Sequence, residues 1–226
     1  MGKGKMFDVV TRTWNPITGC LHFCKYCWAR RFVERRLKYT RKYRNGFSPK
    51  IHFEEFNKRF DGGFVFVSDM GDMFGDWVPD EWIMRVLDHI RKFSETEFLF
   101  LTKNPKRYLE FLDYFPENLV LGATIETNQD DLYKGYRISR APLPSERYKV
   151  MRDLEWDKKF ISVEPILDFD LDVFVQWIRE IKPVMVYVGY DNYNCGLPEP
   201  SLEKTKSLIQ LLQRFTEVRV KTLRDE

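Results

Sequence analysis

"CLHFCKYCWARR", residues 20–31, holds three of the chain's four cysteines, Cys20, Cys24 and Cys27, spaced C-x3-C-x2-C, and runs straight into arginines. Three soft thiols this close point to a metal or redox centre rather than to a disulfide framework. A structural zinc wants four ligands, which His22 or Cys195 would complete, but the spacing is not a pair of C-x2-C knuckles. A four-iron cluster normally takes four cysteines. Three leave one iron open, and an open metal position can bind and activate a substrate.

On either side of this stretch the sequence alternates between strand and helix. Before it, "FDVVTRTW" (7–14) reads as a strand; after it, Ala29, Phe32, Val33 and Leu37 make a narrow helical stripe with arginines on the other faces. Further strand-like runs are "FVFVSD" (64–69), "FLFLTK" (98–103), "LVLGATIE" (119–126), "FISVEP" (160–165) and "VMVYVG" (184–189), with a weaker seventh, "EVRVKT" (217–222). Helical period joins Ile83, Val86, Leu87, Ile90 and Phe93, then Leu171, Phe174, Trp177, Ile178 and Ile181, then Leu202, Thr205, Ile209, Leu212 and Phe215. Pro79 before Asp80 and Glu81, and Ser201 before Glu203, mark helix starts.

Strands apolar nearly throughout, separated by helices, predict an α/β protein with a parallel sheet. An open doubly wound sheet and a barrel both satisfy the pattern. A full eight-stranded barrel typically needs more chain. Six units would give a partial (β/α)6 TIM-like barrel with outer helices, the seventh run adding a short strand. Residues 1–226 are expected to form one domain. The stretch 127–158, with Gly135, Pro142 and Pro144, reads as a loop that could cover a site.

The composition fits a protein with a real core: 43% of residues are hydrophobic. No run reaches the length of a membrane-spanning helix and no secretory signal opens the chain, so a cytoplasmic protein without a membrane partner is expected. The net charge of +3 conceals an asymmetry: residues 28–44 carry eight Arg or Lys against one acid, Glu34. Arg30, Arg31, Arg35, Arg36, Lys38, Arg41, Lys42 and Arg44 are therefore candidates for contact with an anionic partner such as a nucleic acid, with Trp28, Tyr39 and Tyr43 interleaved for stacking. The bland alternative is a solvated helix face.

In both architectures, sites form at the C-terminal ends of parallel strands. Those ends are polar here: Ser68, Asp69 and Asp72; Thr102, Lys103 and Asn104; Thr124, Glu126 and Asn128; Ser162 and Glu164; Tyr190 and Asp191. Loops are polar anyway, but Glu126 and Glu164 lie inside otherwise apolar runs, where a carboxylate is costly to desolvate without a partner.

C-x3-C-x2-C, with a strand before it, a helix after it and Tyr26 before the third cysteine, resembles the cluster-binding signature of the radical S-adenosylmethionine superfamily. More closely, "TWNPITGC" (13–20), "SDMGDMFGDWVPDEWI" (68–83), "FLFLTKNPKRY" (98–108), "LGATIET" (121–127) and "FISVEPIL" (160–167) resemble the motif series of a poorly characterised phage, bacterial and archaeal family of radical-SAM-like proteins. The resemblance implies a [4Fe–4S] cluster on Cys20, Cys24 and Cys27, with S-adenosylmethionine on the open iron. It implies reductive cleavage to a 5′-deoxyadenosyl radical that abstracts hydrogen from a substrate, and an unidentified electron donor. By motif position, Tyr26 would pack near the adenine and Ser68 and Asp69 would hold the amino group, with Asp72 nearby. Thr124, Glu126 and Asn128 would hold ribose and carboxylate, and Ser162 and Glu164 would line the adenine or substrate side. Lys103 would pair with the carboxylate or an anionic substrate.

The sequence departs from the family at 68–71, Ser-Asp-Met-Gly, and at the sixth strand end, "VGYDNYNC", where Tyr190 replaces a glycine and would narrow the substrate side. Cys195 is either a hydrogen-atom donor or a packed small residue. The rival class is a non-enzymatic nucleic-acid-binding module with a structural zinc or iron–sulfur site.

Overall fold

The computed structural model describes residues 6–224. Seven strands run parallel and follow one another through one sheet in chain order, so the fold is the expected α/β arrangement with the weak seventh run included as a true strand. The chain divides into two compact units.

The first unit comprises the described chain up to Leu21, then Cys27–Thr102 and Arg107–Val120. It holds β1 (Arg12–Trp14), β2 (Ile17–Thr18), α1 (Trp28–Phe32), β3 (Lys50–Ile51), β4 (Phe64–Val67), α2 (Asp80–Ile90) and β5 (Glu97–Thr102). β1 pairs in parallel with β4 (Thr13 opposite Phe66) and β4 with β5 (Phe66 opposite Leu99), while β2 and β3 form a small antiparallel pair. The first strand is shorter than the apolar run 7–14 suggests. Val10 N–H turns back onto the Phe7 carbonyl at 3.2 Å, and pairing starts only where Thr11 N–H reaches Phe64 O at 2.8 Å. Phe7 and Val10 are apolar because they are buried, not because they are extended. Trp14 anchors the core, with Phe60 edge-on at 5.4 Å, His89 at 5.0 Å, and its indole N–H donated to Glu55 O at 3.1 Å. α2 buries Ile83, Val86, Leu87 and Ile90, the face its period predicts, and starts at Pro79.

The second unit comprises His22–Tyr26, Lys103–Lys106 and the chain from Leu121. Its elements are β6 (Leu119–Thr124, the last four residues), α3 (Asp130–Gly135), α4 (Pro144–Asp153), β7 (Lys159–Val163), α5 (Leu171–Ile181), β8 (Met185–Val188), α6 (Leu202–Leu212) and β9 (Glu217–Val220). All six residues of β6 and all five of β7 are buried. α5 and α6 begin on side-chain caps: Asp170 accepts from Val173 N–H at 3.0 Å and Ser201 from Lys204 N–H at 3.2 Å.

The stretch 127–158 corrects the sequence reading. It is not a loop but carries α3 and α4. Pro144 is not a breaker: it stands at the first helical position, where a missing N–H costs nothing. Glu146 reaches back to Leu143 N–H at 2.6 Å and closes the turn.

Candidate functional site

In the first unit, the chain entering the cysteine loop is locked to the turn after β4 by two glycines. Gly19 and Gly71 form a backbone bridge: Gly19 N–H donates to Met70 O at 2.9 Å and Asp72 N–H to Gly19 O at 3.2 Å. Neither position tolerates a side chain. A Cβ on Gly71 would lie 2.9 Å from Gly19 N, and one on Gly19, whose φ is +87°, would lie 2.3 Å from Ser48 O. The residue just before Cys20 is thus held against residues 68–72.

That turn carries Ser68, Asp69 and Asp72. Ser68 is buried with φ +58°, and its hydroxyl has no hydrogen-bond partner. Asp69 accepts from Asn15 Nδ2 at 2.5 Å, while Asn15 Oδ1 accepts from Met70 N–H at 3.0 Å. Burial pushes the Asp69 carboxyl up, and the Asn15 bond opposes this. Asp72 is committed to the fold: its Oδ1 accepts from Thr102 Oγ1 at 2.7 Å and from Phe74 N–H at 3.1 Å. Asn15 is a residue that motif position alone did not single out, although it stands within "TWNPITGC".

Two thiols of the trio belong to this unit. Cys27 caps α1, its Sγ accepting from Arg30 N–H at 3.3 Å, a contact that suits a thiolate ligand. The Arg30 guanidinium donates to Cys20 O at 2.6 Å, lies over the Phe47 ring at 5.1 Å and faces Glu34 at 3.8 Å. Lys42 donates to Glu55 Oε1 at 2.7 Å and Asn15 O at 3.2 Å. Both cations hold the cysteine loop and the Asn15 segment in place.

In the second unit, His22–Tyr26 is bound to residues 138–140. Lys25 N–H donates to Ile138 O at 3.0 Å and Arg140 N–H to His22 O at 2.7 Å. Ser139 Oγ donates to His22 O at 3.0 Å and lies 3.2 Å from Cys24 Sγ. Next to this is a buried charged constellation. The Tyr26 hydroxyl donates to Glu126 Oε1, and Arg147 Nη1 donates to Glu126 Oε2 at 2.7 Å and to Thr124 O. Arg147 Nε donates to Pro142 O at 2.9 Å and its Cζ lies 5.2 Å from the Tyr133 ring centre. Glu126 and Arg147 are both fully inaccessible to solvent. Lys103 Nζ stands 5.3 Å from the Tyr26 ring centre.

The electrostatics follow from this packing. Burial pushes the Glu126 carboxyl up, but Arg147, Lys103 and the Tyr26 hydroxyl outweigh it and hold the group below its ordinary range. Desolvation and the neighbouring Glu126 carboxylate push the Tyr26 phenol well up, so it stays a donor. Glu164 accepts from Lys221 Nζ at 2.6 Å, yet its burial wins and its carboxyl is raised.

Thr124 and Ser162 are register partners at the ends of β6 and β7, both buried, and the Ser162 hydroxyl has no partner. Asn128 exchanges two bonds with the Asp170 backbone, at 3.0 and 2.9 Å, and so secures the start of α5. Asp191 accepts from Tyr193 N–H at 3.1 Å and from Cys195 N–H at 2.6 Å, which fixes the turn that carries Cys195. Tyr190 does not stand open towards a substrate: it is buried, its hydroxyl bonded to Pro200 O at 3.1 Å and Thr205 Oγ1 at 2.8 Å.

Arg147 is not visible as a site residue in the sequence, because its segment reads as a loop. The signal was present: Pro144, Arg147, Tyr148 and Met151 are the buried face of α4 at i, i+3, i+4, i+7.

No disulfide forms among the four cysteines. Among the described residues, no three His, Cys, Asp or Glu side chains gather as ligands of a single ion would. A cubane cluster makes a different demand, since each thiolate takes its own iron and the sulfurs need not converge on one point. The donor set fits such a cluster; in the first unit the buried Ser68 Oγ has no hydrogen-bond partner, and in the second neither do Ser162 Oγ and Arg147 Nη2, as polar atoms awaiting a ligand would be.

Comparison with known proteins agrees with the fold. Spore photoproduct lyase with bound AdoMet and dinucleoside spore photoproduct superposes with a TM-score of 0.57 at 11% identity, covering 90% of this chain and 61% of that one. SuiB of Streptococcus suis bound to precursor peptide SuiA gives 0.57 at 14%, covering 96% and 49%. SuiB bound to S-adenosylmethionine gives 0.56 at 14%, covering 96% and 51%. Both neighbours have been seen with S-adenosylmethionine (AdoMet) bound, and this chain has their partial-barrel fold while spanning about half to three fifths of their length. No curated protein matches the sequence. The profile of a family described as a protein of unknown function, DUF5131, matches residues 6–186, and the chain belongs to that family.

Proposed function

We propose that this chain is a radical S-adenosylmethionine enzyme in which Cys20, Cys24 and Cys27 ligate a [4Fe–4S] cluster. The observation that carries the reading is the Gly19–Gly71 bridge. It ties the start of the cysteine loop to a turn whose buried Ser68 hydroxyl lacks a partner. When bound, the cluster would supply the electron that cleaves S-adenosylmethionine to methionine and a 5′-deoxyadenosyl radical, which takes hydrogen from the substrate.

The chain's own residues would bind and orient. Ser68 and Asp69 would accept from the amino group of S-adenosylmethionine, and Thr124 and Ser162 would meet the ribose. Tyr26 would flank the adenine, held by a hydroxyl bond to Glu126 that Arg147 in turn secures. Lys103 would pair with a carboxylate. Asp72 and Asn128, already committed to Thr102 and Asp170, would act by holding their turns in place. Glu164, with a raised carboxyl, and Cys195 would stand on the substrate side. The substrate class favoured is a nucleic acid or nucleotide, on the strength of the basic segment 28–44 and of the dinucleoside carried by one neighbour.

The test is anaerobic reconstitution with iron and sulfide, reduction with dithionite and addition of S-adenosylmethionine. Formation of 5′-deoxyadenosine supports the reading. A colourless protein that holds one zinc and forms none overturns it.

A further inference from the structure

We infer that residues 31–44 form a docking surface for single-stranded nucleic acid, with Arg35, Arg36, Lys38, Arg41 and Arg44 on the phosphates and Tyr39 stacked on a base. This deepens the nucleic-acid part of the function proposed above and does not depend on the cluster. The segment is anchored on one side only. Ala29, Val33, Tyr43 and Phe47 are buried in a common core, with Leu37 packed against it. The turns between are closed by Thr40 N–H to Leu37 O at 2.8 Å, Tyr43 N–H to Thr40 O at 3.1 Å and Gly46 N–H to Tyr43 O at 2.8 Å. Arg35, Arg36, Lys38, Arg41 and Arg44 are exposed, so a fixed backbone presents a dense set of cations.

A solvated helix face usually balances its charges within itself. Here the one acid in 28–44, Glu34, faces Arg30, and Glu55 is taken up by Lys42 at 2.7 Å and Lys58 at 2.6 Å. The five outward cations form no ion pair among the described residues. Tyr39 is 86% exposed, with Lys38 Nζ 5.0 Å from its ring centre, and Phe32 is 40% exposed. An aromatic ring left in water among cations is the pairing that single strands favour, because every base offers a face to stack on while the phosphates seek positive charge. A duplex hides those faces, and an anionic bilayer offers charge without stacking.

Fluorescence anisotropy of the full chain with a labelled single-stranded 12-mer, without S-adenosylmethionine, tests the surface directly. Each phosphate neutralised contributes about 0.7 to the salt slope for single strands, so five cations predict a log–log slope of about −3 to −4. Replacing Arg35, Arg36 and Arg41 together with alanine should lower that slope by about 2. Tyr39→Ala should weaken binding about tenfold with the slope unchanged. Circular dichroism melts confirm that both variants fold; if the triple variant does not, the Tyr39 comparison decides alone. A slope near zero, equal binding to a duplex of the same sequence, stronger binding to phosphatidylserine vesicles, or an unaffected Tyr39→Ala overturns the inference. Such a failure leaves the cleavage of S-adenosylmethionine untouched, since that is read separately as 5′-deoxyadenosine.

Discussion

Replacing Arg147 with methionine probes the constellation that supports Tyr26. Arg147 and Glu126 are both fully buried and joined at 2.7 Å, and the same guanidinium bonds the Thr124 and Pro142 carbonyls. Methionine fills most of the space but leaves a buried carboxylate without its main cation. Removing one partner of a buried pair costs about 3–5 kcal/mol. For a chain of this length that lowers Tm by roughly 6–20 °C, at about 2–4 °C per kcal/mol. The pH dependence should also reverse. In the wild type the Glu126 carboxyl lies below its unfolded value, so its contribution is present at neutral pH and is lost as pH falls through the folded value. In the variant burial prevails and the folded value rises above the unfolded one. Stability is then greatest at low pH and is lost as pH rises through the folded value. Urea titrations followed by circular dichroism at pH 5 and pH 8 should show a smaller deficit at pH 5. Adding Glu126→Gln to Arg147→Met should recover part of the loss, because no charge is left stranded. A single variant within about 1 kcal/mol of wild type, with unchanged pH dependence, would refute the argument.

Ser68→Ala should cost less than about 1 kcal/mol of stability, because its hydroxyl has no partner, yet weaken S-adenosylmethionine binding measured by calorimetry on the reconstituted protein. Asp72→Ala should instead cost about 2–3 kcal/mol in urea titration, since it removes a buried acceptor that both Thr102 Oγ1 and the Phe74 N–H use. Gly19→Ala should destabilise by more than about 2 kcal/mol in the same assay, its Cβ meeting Ser48 O with φ positive. Cys195→Ala should preserve 5′-deoxyadenosine formation but stop substrate turnover if Cys195 donates hydrogen; full turnover would return it to a packing role.

Much of the fold is legible because buried parallel strands need apolar runs and their helices need one apolar face. The stripes of α2 and α5 and the starts at Pro79 and Ser201 follow directly from that requirement. Apolar character marks burial rather than extension, which is why 7–11 reads as strand while Phe7 and Val10 pack from a turn. Proline marks either an end or a beginning, and at Pro144 it is a beginning. The strand-end residues are visible as polar positions in apolar runs, but what each one bonds is not. Asn128 and Tyr190 look available in sequence and are occupied in three dimensions. Arg30 and Lys42 look like surface charge and are internal fasteners. Arg147 was hidden because a buried cation on a helix appears in sequence as an ordinary polar residue.

The central claim is that three cysteines hold a cluster and leave one iron for S-adenosylmethionine. Electron paramagnetic resonance of the anaerobically reconstituted, reduced protein tests it most directly. A reduced [4Fe–4S] signal that shifts when S-adenosylmethionine is added, and is lost or altered in Cys20→Ala, Cys24→Ala and Cys27→Ala, is the expected result. A signal indifferent to S-adenosylmethionine, or a cluster that survives loss of all three thiols, would contradict it.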